Sequence, residues 1–195
     1  MRERHIPDTR VHVVLFFINP SGHSLRQIDI QVLKKLGDIA NVIPVIAKAD
    51  TLTLEERDLF KQRVRAELQN NNIRVYPFDH EDYDEEEREL SSQVQAMLPF
   101  AVVGSTKVYD VDGMPVRGLQ SRCGMINIED PMHCEFVPFR NFLLRTNLHD
   151  LIDTTAHTYY ESFRSKQLLA LKESSAKHQQ PVSYTHLTLP TILLV

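Results

Sequence analysis

The chain has 195 residues, enough for one domain with a sizeable hydrophobic core and few for two. With 42% hydrophobic and 25% charged residues it has the composition of an ordinary globular protein, and a formal net charge of -4 argues against nucleic acid as a partner. Cys123 and Cys134 are too few for a disulfide framework, which favours a reducing compartment. Residues 1–5 contain no apolar signal region and no apolar run could span a bilayer, so we expect a cytoplasmic protein.

The first part of the chain predicts strands that alternate with helices. Val11–Ile18 is apolar at nearly every position, which indicates a strand buried on both faces, and residues 24–40 carry apolar side chains at helical spacing. Val42–Ala47 predicts a second buried strand. Thr53 and Glu56 have the spacing of a capping box and predict the start of a further helix.

The next segments continue this alternation. Ile73–Pro77 predicts a short strand, and the acidic residues 79–89 predict a solvated loop that leads into a helix; nothing in them favours a metal site. Pro99–Gly104 predicts a third buried strand. Strands and helices in this order are typical of a doubly wound parallel sheet.

After Gly104 the pattern changes to antiparallel strands and then helices. Val108–Val116 predicts a hairpin with an Asp-Gly turn, and Met125–Ile128 predicts another short strand. Pro138 is placed as the first residue of a helix, and residues 151–172 predict the last one. Residues 183–195 change abruptly to Thr, Leu, Pro and Ile, so we interpret them as a foreign or frame-shifted tail.

The loop with recognisable chemistry is Ala47-Lys48-Ala49-Asp50, at the end of the second strand. Guanine presents two adjacent donors, its N1–H and its exocyclic amine, and one carboxylate such as Asp50 can accept both. Adenine cannot replace it, and the aliphatic stem of Lys48 can lie along the base. Lys-x-Asp alone recurs by chance on solvated surfaces. Its position at a strand end, with Gly104-Ser105 after the next buried strand, favours base binding.

A phosphate cradle is not predicted within the chain. Gly113 and Gly118 have the outer spacing of a P-loop, but Leu119-Gln120 follow them where Lys-Ser/Thr is needed. These glycines also lie in the predicted hairpin, where no helix N-terminus can face a phosphate. The Asp-x-x-Gly pattern that starts at Asp110 is interpreted as a turn for the same reason.

Five segments, in the correct order, resemble the septin GTPase domain. They are Ser21–Leu25, Asn41–Thr53, Pro99–Ser105, Ile128–Phe136 and Tyr160–Arg164, and the resemblance runs from about Ile6 to Leu171. It implies an α/β, Ras-like P-loop GTPase fold, present as the C-terminal part of the sheet, with a septin-type β-meander and C-terminal helices. The implied domain covers residues 6–172, and we expect residues 173–195 to be a disordered tail.

The resemblance also implies a ligand and partners. Septins bind GTP or GDP and polymerise with other septin subunits into cytoskeletal filaments that serve cytokinesis and septum formation, at sites such as the bud neck and the cell cortex. Lys48 and Asp50 would bind guanine together with their neighbours Ala47, Ala49, Thr51 and Ser105, and Gly104 would close over the base.

Further residues match positions that septins use at their two interfaces. His23, Glu56, Cys123 and His133 match positions near or across the nucleotide-side interface, although the two histidines fit a structural, hydrogen-bonded role equally well. Residues 162–164 would belong to the other interface. Two departures stand out, because septins usually carry Arg where this chain has Leu119 and Trp where it has Cys123. Their loss removes a cationic stack on the base and a large aromatic anchor.

The family's P-loop, switch regions, Mg²⁺-binding residues and membrane-binding basic segment are expected before Ile6. We therefore assign no catalytic residue and no metal ligand, and GTP hydrolysis stays open. Val11–Ile18 would then form an exposed apolar edge, so we expect this chain alone to be poorly soluble and to bind GTP weakly or not at all. A monomeric Ras-like signalling GTPase and a nucleotide-free scaffold that docks onto septins are the alternatives.

Overall fold

The structure, a computed structural model, describes residues 7–20, 23–77, 85–111, 113–121 and 124–178. They belong to two compact units, Met1–Tyr159 and Tyr160–Val195. The elements in chain order are β1 (Val13–Ile18), α1 (Gln27–Gly37), β2 (Asn41–Ile46), a 3₁₀ turn (Ala49–Thr51), α2 (Leu54–Asn70), α3 (Glu85–Met97), β3 (Phe100–Ala101), β4 (Val108–Val111), β5 (Met114–Ser121), β6 (Gly124–Asn127), α4 (Phe136–Asn141), a π-helical segment (Phe142–Thr146), α5 (Leu148–Thr154), a second π-helical segment (Thr155–Tyr160) and α6 (Glu161–His178).

The first unit is built on a parallel sheet with the strand order β1-β2-β3. β1 pairs with β2 along its whole length, from Val13 opposite Asn41 to Ile18 opposite Ile46. β2 then pairs with the short β3, and helices connect the strands, as parallel pairing requires. The carboxyl ends of all three strands therefore lie at the same edge of the sheet.

Side chains that alternate along the strands form a hydrophobic core on each face of the sheet. On one face Val42 and Ile46 pack with Leu33 of α1 and with Phe60 and Val64 of α2. On the other face the core contains Ile43, Val45, Phe100, Phe139, Phe142 and Leu151. The sheet is thus covered on both faces, as a predicted α/β fold of this class requires.

β1 differs from the prediction of a strand buried on both faces. It forms an edge of the sheet, and within the described residues no strand pairs with its outer side. Four of its six side chains are half-buried, and Phe17 is 58% exposed. Of the two expectations for this segment, the exposed apolar edge is confirmed and the strand buried on both faces is wrong.

The predicted strand Ile73–Pro77 was wrong, and β3 is shorter than predicted. Tyr76 N donates to Val42 O over 2.9 Å on the β3 side of β2, but the next position on that side is Pro44, which has no N–H. The ladder therefore stops after one bond. β3 pairs with β2 only further along, through two residues of the predicted Pro99–Gly104 strand.

Two helix boundaries also differ from the prediction. α4 begins at Phe136, two residues before Pro138, since Pro138 still occupies the first turn where its missing N–H costs no bond. The predicted helix over 151–172 begins at Leu148 and contains a π-helical segment. The acidic segment 79–84 and the tail 183–195 lie outside the described residues, and α3 begins at Glu85.

The predicted hairpin is confirmed as the first half of an antiparallel meander, β4-β5-β6. Gly113 has a φ of 78°, which is the left-handed conformation that the turn requires. Gly118 lies in the middle strand, where a Cβ atom would come within 2.5 Å of Ile126 O. The backbones of β5 and β6 can pass each other at this point because residue 118 has no side chain.

We expect Gly118→Ala to lower the free energy of unfolding by about 1–3 kcal/mol, because β6 must shift to admit the methyl group. Urea unfolding followed by circular dichroism measures this loss. Gly104→Ala is the matched control, since a Cβ there meets nothing within 4 Å and its φ is not positive. Equal losses for the two variants would contradict the assignment of Gly118 as a close-approach position.

The second unit contains α6, and its side chains are exposed from Ser162 to Ser175. Phe163, Leu168 and Leu171 are among the exposed apolar residues of this helix. Across the described part of the chain, no helix is both long enough and apolar enough to cross a membrane.

Candidate guanine-nucleotide site

The Ala47–Asp50 loop is attached to both neighbouring strands at the carboxyl edge of the sheet. Ala47 N donates to Ile18 O at the end of β1 over 3.0 Å, and Ala49 N donates to Val102 O just after β3 over 3.1 Å. Ala49 is 5% exposed, so it acts as the buried anchor of the loop. The two bonds hold the loop in the position where open α/β sheets bind their ligands.

The loop turns through an unusual conformation at Lys48. Its φ of 50° and ψ of 48° are left-handed, a conformation that costs a non-glycine residue about 1–2 kcal/mol. Thr51 holds the turn closed, because its N and its Oγ1 both donate to Lys48 O, over 3.0 and 2.9 Å. The result is that Lys48 is exposed and Asp50 is half-buried. Strained backbone of this kind is concentrated at functional sites.

The second predicted loop, Gly104-Ser105, begins two residues after Val102 and is therefore tied to the same anchor. Gly104 is exposed, and a Cβ atom built on it would meet no atom of the described residues within 4 Å. Ser105 Oγ accepts a hydrogen bond from Lys107 N over 3.1 Å and shapes the turn that follows. The structure thus brings the two loops together at one edge.

Glu56, a predicted interface residue, completes the capping box of α2. Its Oε2 accepts from Thr53 N over 2.9 Å, and its own N donates to Thr53 Oγ1 over 3.2 Å. Because the ionised carboxylate accepts the Thr53 bond, the pKa of Glu56 is lowered. The capping box that the sequence predicts is confirmed, and this exposed carboxylate is positioned by it.

We expect Thr53→Ala to lower the free energy of unfolding by about 1 kcal/mol, and Thr53→Ser to preserve the cap. Since the pKa of Glu56 is lowered on folding, its contribution is complete above its unfolded value of 4.5 and is lost as the pH falls through the folded pKa. Thr53→Ala keeps the backbone N–H at position 53 that donates to Glu56 Oε2, so the pH test uses Glu56→Ala instead: the difference in unfolding free energy between wild type and Glu56→Ala should shrink in acid. Urea unfolding at neutral and acidic pH tests this, and a difference that grows in acid would contradict it.

The other predicted interface residues are only partly described. His133 Nδ1 accepts from Asn127 N over 3.1 Å, while 44% of its side chain is exposed, so it has a structural hydrogen bond and an accessible face together. Arg57 Nη1 donates to His133 O over 3.5 Å and connects this turn to the first turn of α2. His23 lies exposed between β1 and α1, and Cys123 lies outside the described residues.

Leu119, interpreted from the sequence as a departure at the base, has a packing role here. It is half-buried and packs against the core cluster on the α1–α2 face of the sheet. A charged arginine would need its guanidinium to leave that apolar surface. Leu119 therefore contributes to the hydrophobic core at this position.

The structure contains a partly buried ion pair, Lys61 with Glu135, that was not predicted from the sequence. Lys61 Nζ lies 2.7 Å from Glu135 Oε1 and 2.9 Å from Oε2, and Lys61 is only 7% exposed. Glu135 Oε2 also accepts from Ala101 N over 2.7 Å. The two residues are 74 positions apart in the sequence. An acidic residue at the start of a helix is too common to predict which lysine it pairs with.

The α/β fold of this chain, a three-stranded parallel sheet followed by an antiparallel meander and helices, is similar to that of solved septin proteins. The crystal structure of Cdc11 from Saccharomyces cerevisiae is similar to this chain with a TM-score of 0.55 and 33% sequence identity, over 81% of this chain and 65% of that one.

The family model described as Septin matches residues 1–177, and the chain belongs to the septin family. It is 58% identical over 175 residues to the septin homolog spn2 of Schizosaccharomyces pombe, covering 90% of this chain and 53% of that protein. It is 52% identical to cell division control protein 10 of Candida albicans, over 90% of this chain and 49% of that one. The chain spans about half the length of the curated relatives that it matches.

Proposed function

We propose that this chain carries the base-reading half of a guanine-nucleotide site, which binds GTP or GDP in the protein expressed from its complete reading frame. The observation that carries the proposal is the bond from Ala49 N to Val102 O, which fixes the Asp50 loop and the Gly104-Ser105 loop at one edge of the sheet. Asp50 then accepts the N1–H and the amine of guanine, while Lys48 lies along the base and Gly104 leaves room for it. Ala47, Thr51 and Ser105 shape the loops.

We further propose that the protein assembles with other septin subunits into filaments and serves cell division in the cytoplasm and its cytoskeleton. Family membership supports this assignment, as does the similarity to a relative named cell division control protein 10. Glu56 and the accessible face of His133 are the described residues that we assign to the subunit contact near the nucleotide, together with His23. Cys123 belongs to the same proposal through its sequence position.

The proposal is tested on the protein expressed from its complete reading frame. Fluorescently labelled GDP is titrated against the protein and displaced with unlabelled GDP or ADP. We expect displacement by GDP and not by ADP. Size-exclusion chromatography with and without GTP then reports assembly. Equal displacement by the two nucleotides would overturn guanine recognition. A protein that stays monomeric both alone and when mixed with a second septin subunit would overturn assembly.

A further inference from the structure

Within the described residues, the outer edge of β3 is closed by a single residue, through its backbone and its side chain, rather than by another strand. Val102 N donates to Ile46 O over 2.9 Å, so the alternate residue Ala101 directs its N–H and C=O away from β2. Ala101 is fully buried, and both of its backbone groups are satisfied by Glu135. Glu135 N donates to Ala101 O over 2.9 Å, and Glu135 Oε2 accepts from Ala101 N over 2.7 Å.

Lys61 holds this carboxylate in place from α2. Its ammonium group is within 2.9 Å of both Glu135 oxygens, Lys61 is 7% exposed, and the Glu135 side chain is 23% exposed. A charge buried in this way requires its counter-ion, which makes the position of the carboxylate unusually well determined. Lys61, Glu135 and Ala101 therefore form one rigid contact, which we name the edge clamp.

The edge clamp lies one residue away from the anchor of the base-reading loop. Ala101 is followed by Val102, whose carbonyl oxygen holds Ala49 N, and Asp50 follows Ala49. Gly104 is two residues further along the same segment. A displacement of Ala101 is thus transmitted through the backbone to the carboxylate that would read guanine.

We infer that Glu135 is a positioning residue for guanine selectivity, acting through Ala101 and Val102 on Asp50. The inference rests on the proposed function. A role limited to stability would change how much protein is folded, but it would leave the relative affinity for two nucleotides unchanged in the folded fraction. Selectivity between GDP and inosine diphosphate separates the two roles, because inosine lacks the exocyclic amine that Asp50 would accept.

Two double variants isolate the bond to Ala101 without leaving an unpaired buried charge. Lys61→Met with Glu135→Gln removes both charges and keeps an oxygen that can accept from Ala101 N. Lys61→Met with Glu135→Met removes both charges and the acceptor as well. The side chains have similar volumes, so the comparison changes little besides the acceptor.

The affinities for GDP and inosine diphosphate are measured by displacement of labelled GDP from the protein expressed from its complete reading frame. We expect wild type to prefer GDP about 10- to 100-fold, which is the effect of one hydrogen bond to a charged group. The Met/Gln variant should stay within about threefold of that ratio. The Met/Met variant should fall to a ratio of about 3 or less.

A wild-type ratio retained by the Met/Met variant would overturn this inference and leave the proposed function intact. A wild-type protein with no preference for GDP would overturn both. If the Met/Met variant fails to fold, Glu135→Asp takes its place, since its carboxylate is one methylene shorter and cannot reach Lys61 and Ala101 together. That variant must lower the ratio at least about threefold, and an unchanged ratio overturns the inference.

Discussion

Replacing Asp50 with asparagine is expected to weaken GDP binding by at least about 100-fold, because the amide supplies one acceptor where guanine presents two donors, and its NH₂ group faces the exocyclic amine. The same change should favour xanthosine diphosphate. Xanthine has an N1–H donor beside a carbonyl acceptor, and the asparagine amide complements both. Displacement of labelled GDP by GDP and by xanthosine diphosphate measures the two effects.

Asp58→Asn is the matched control for this substitution, since it makes the same chemical change on an exposed position of α2. It should leave the GDP affinity unchanged. Loss of GDP binding in Asp50→Asn without any gain for xanthosine diphosphate would point to a damaged fold. Unchanged GDP binding would remove Asp50 from the site.

The largest loss of stability is expected from Phe100→Ala, at about 3–5 kcal/mol of the free energy of unfolding. Phe100 is 1% exposed, and its ring centroid lies 5.4 Å from that of Phe139 and 5.2 Å from that of Phe142. The three rings join β3 to α4 and to the π-helical segment that follows it. Truncation therefore leaves a cavity that rigid elements on both sides cannot fill.

Chemical unfolding in urea measures this effect, with Phe163→Ala as the control for the same change of side chain. Phe163 is 60% exposed on α6, so its loss should shift the unfolding free energy by no more than about 0.5 kcal/mol. Similar losses at both positions would mean that Phe163 is buried in solution. A small loss at Phe100 would mean that the aromatic cluster rearranges.

Local signals in the sequence predicted the parts of the fold that depend on neighbouring residues. The capping box at Thr53 and Glu56 is set by residues three positions apart, and the Asp-Gly hairpin is set by one turn. The second strand was predicted as Val42–Ala47 from its apolar run, and the structure places it at Asn41–Ile46 with all six residues buried. The Lys48–Asp50 loop follows from that strand, so its place at the sheet edge was predictable too.

Contacts between distant residues decided what the sequence could not predict. The absence of the predicted strand Ile73–Pro77 depends on Pro44 and on Tyr76, which come from separate segments. Lys61 and Glu135 become partners only once α2 and the turn before α4 pack together. Apolar residues in a run also look the same at the centre of a sheet and at its edge, which is why β1 was predicted with both faces buried.

Because β1 is an edge strand, hydrogen exchange along it reports which of its two sides is paired with another strand. Ile18 O accepts from Ala47 N, so the peptide groups of Ile18, and by alternation those of Phe16, face β2. The amide protons of Leu15 and Phe17 face the other way. In deuterated water, we expect the isotope to enter at Leu15 and Phe17 well before it enters at Phe16 and Ile18. A polypeptide that pairs with the outer side of β1 would protect the amides of Leu15 and Phe17 as well. Residue-resolved hydrogen exchange would then show slow exchange along the whole strand.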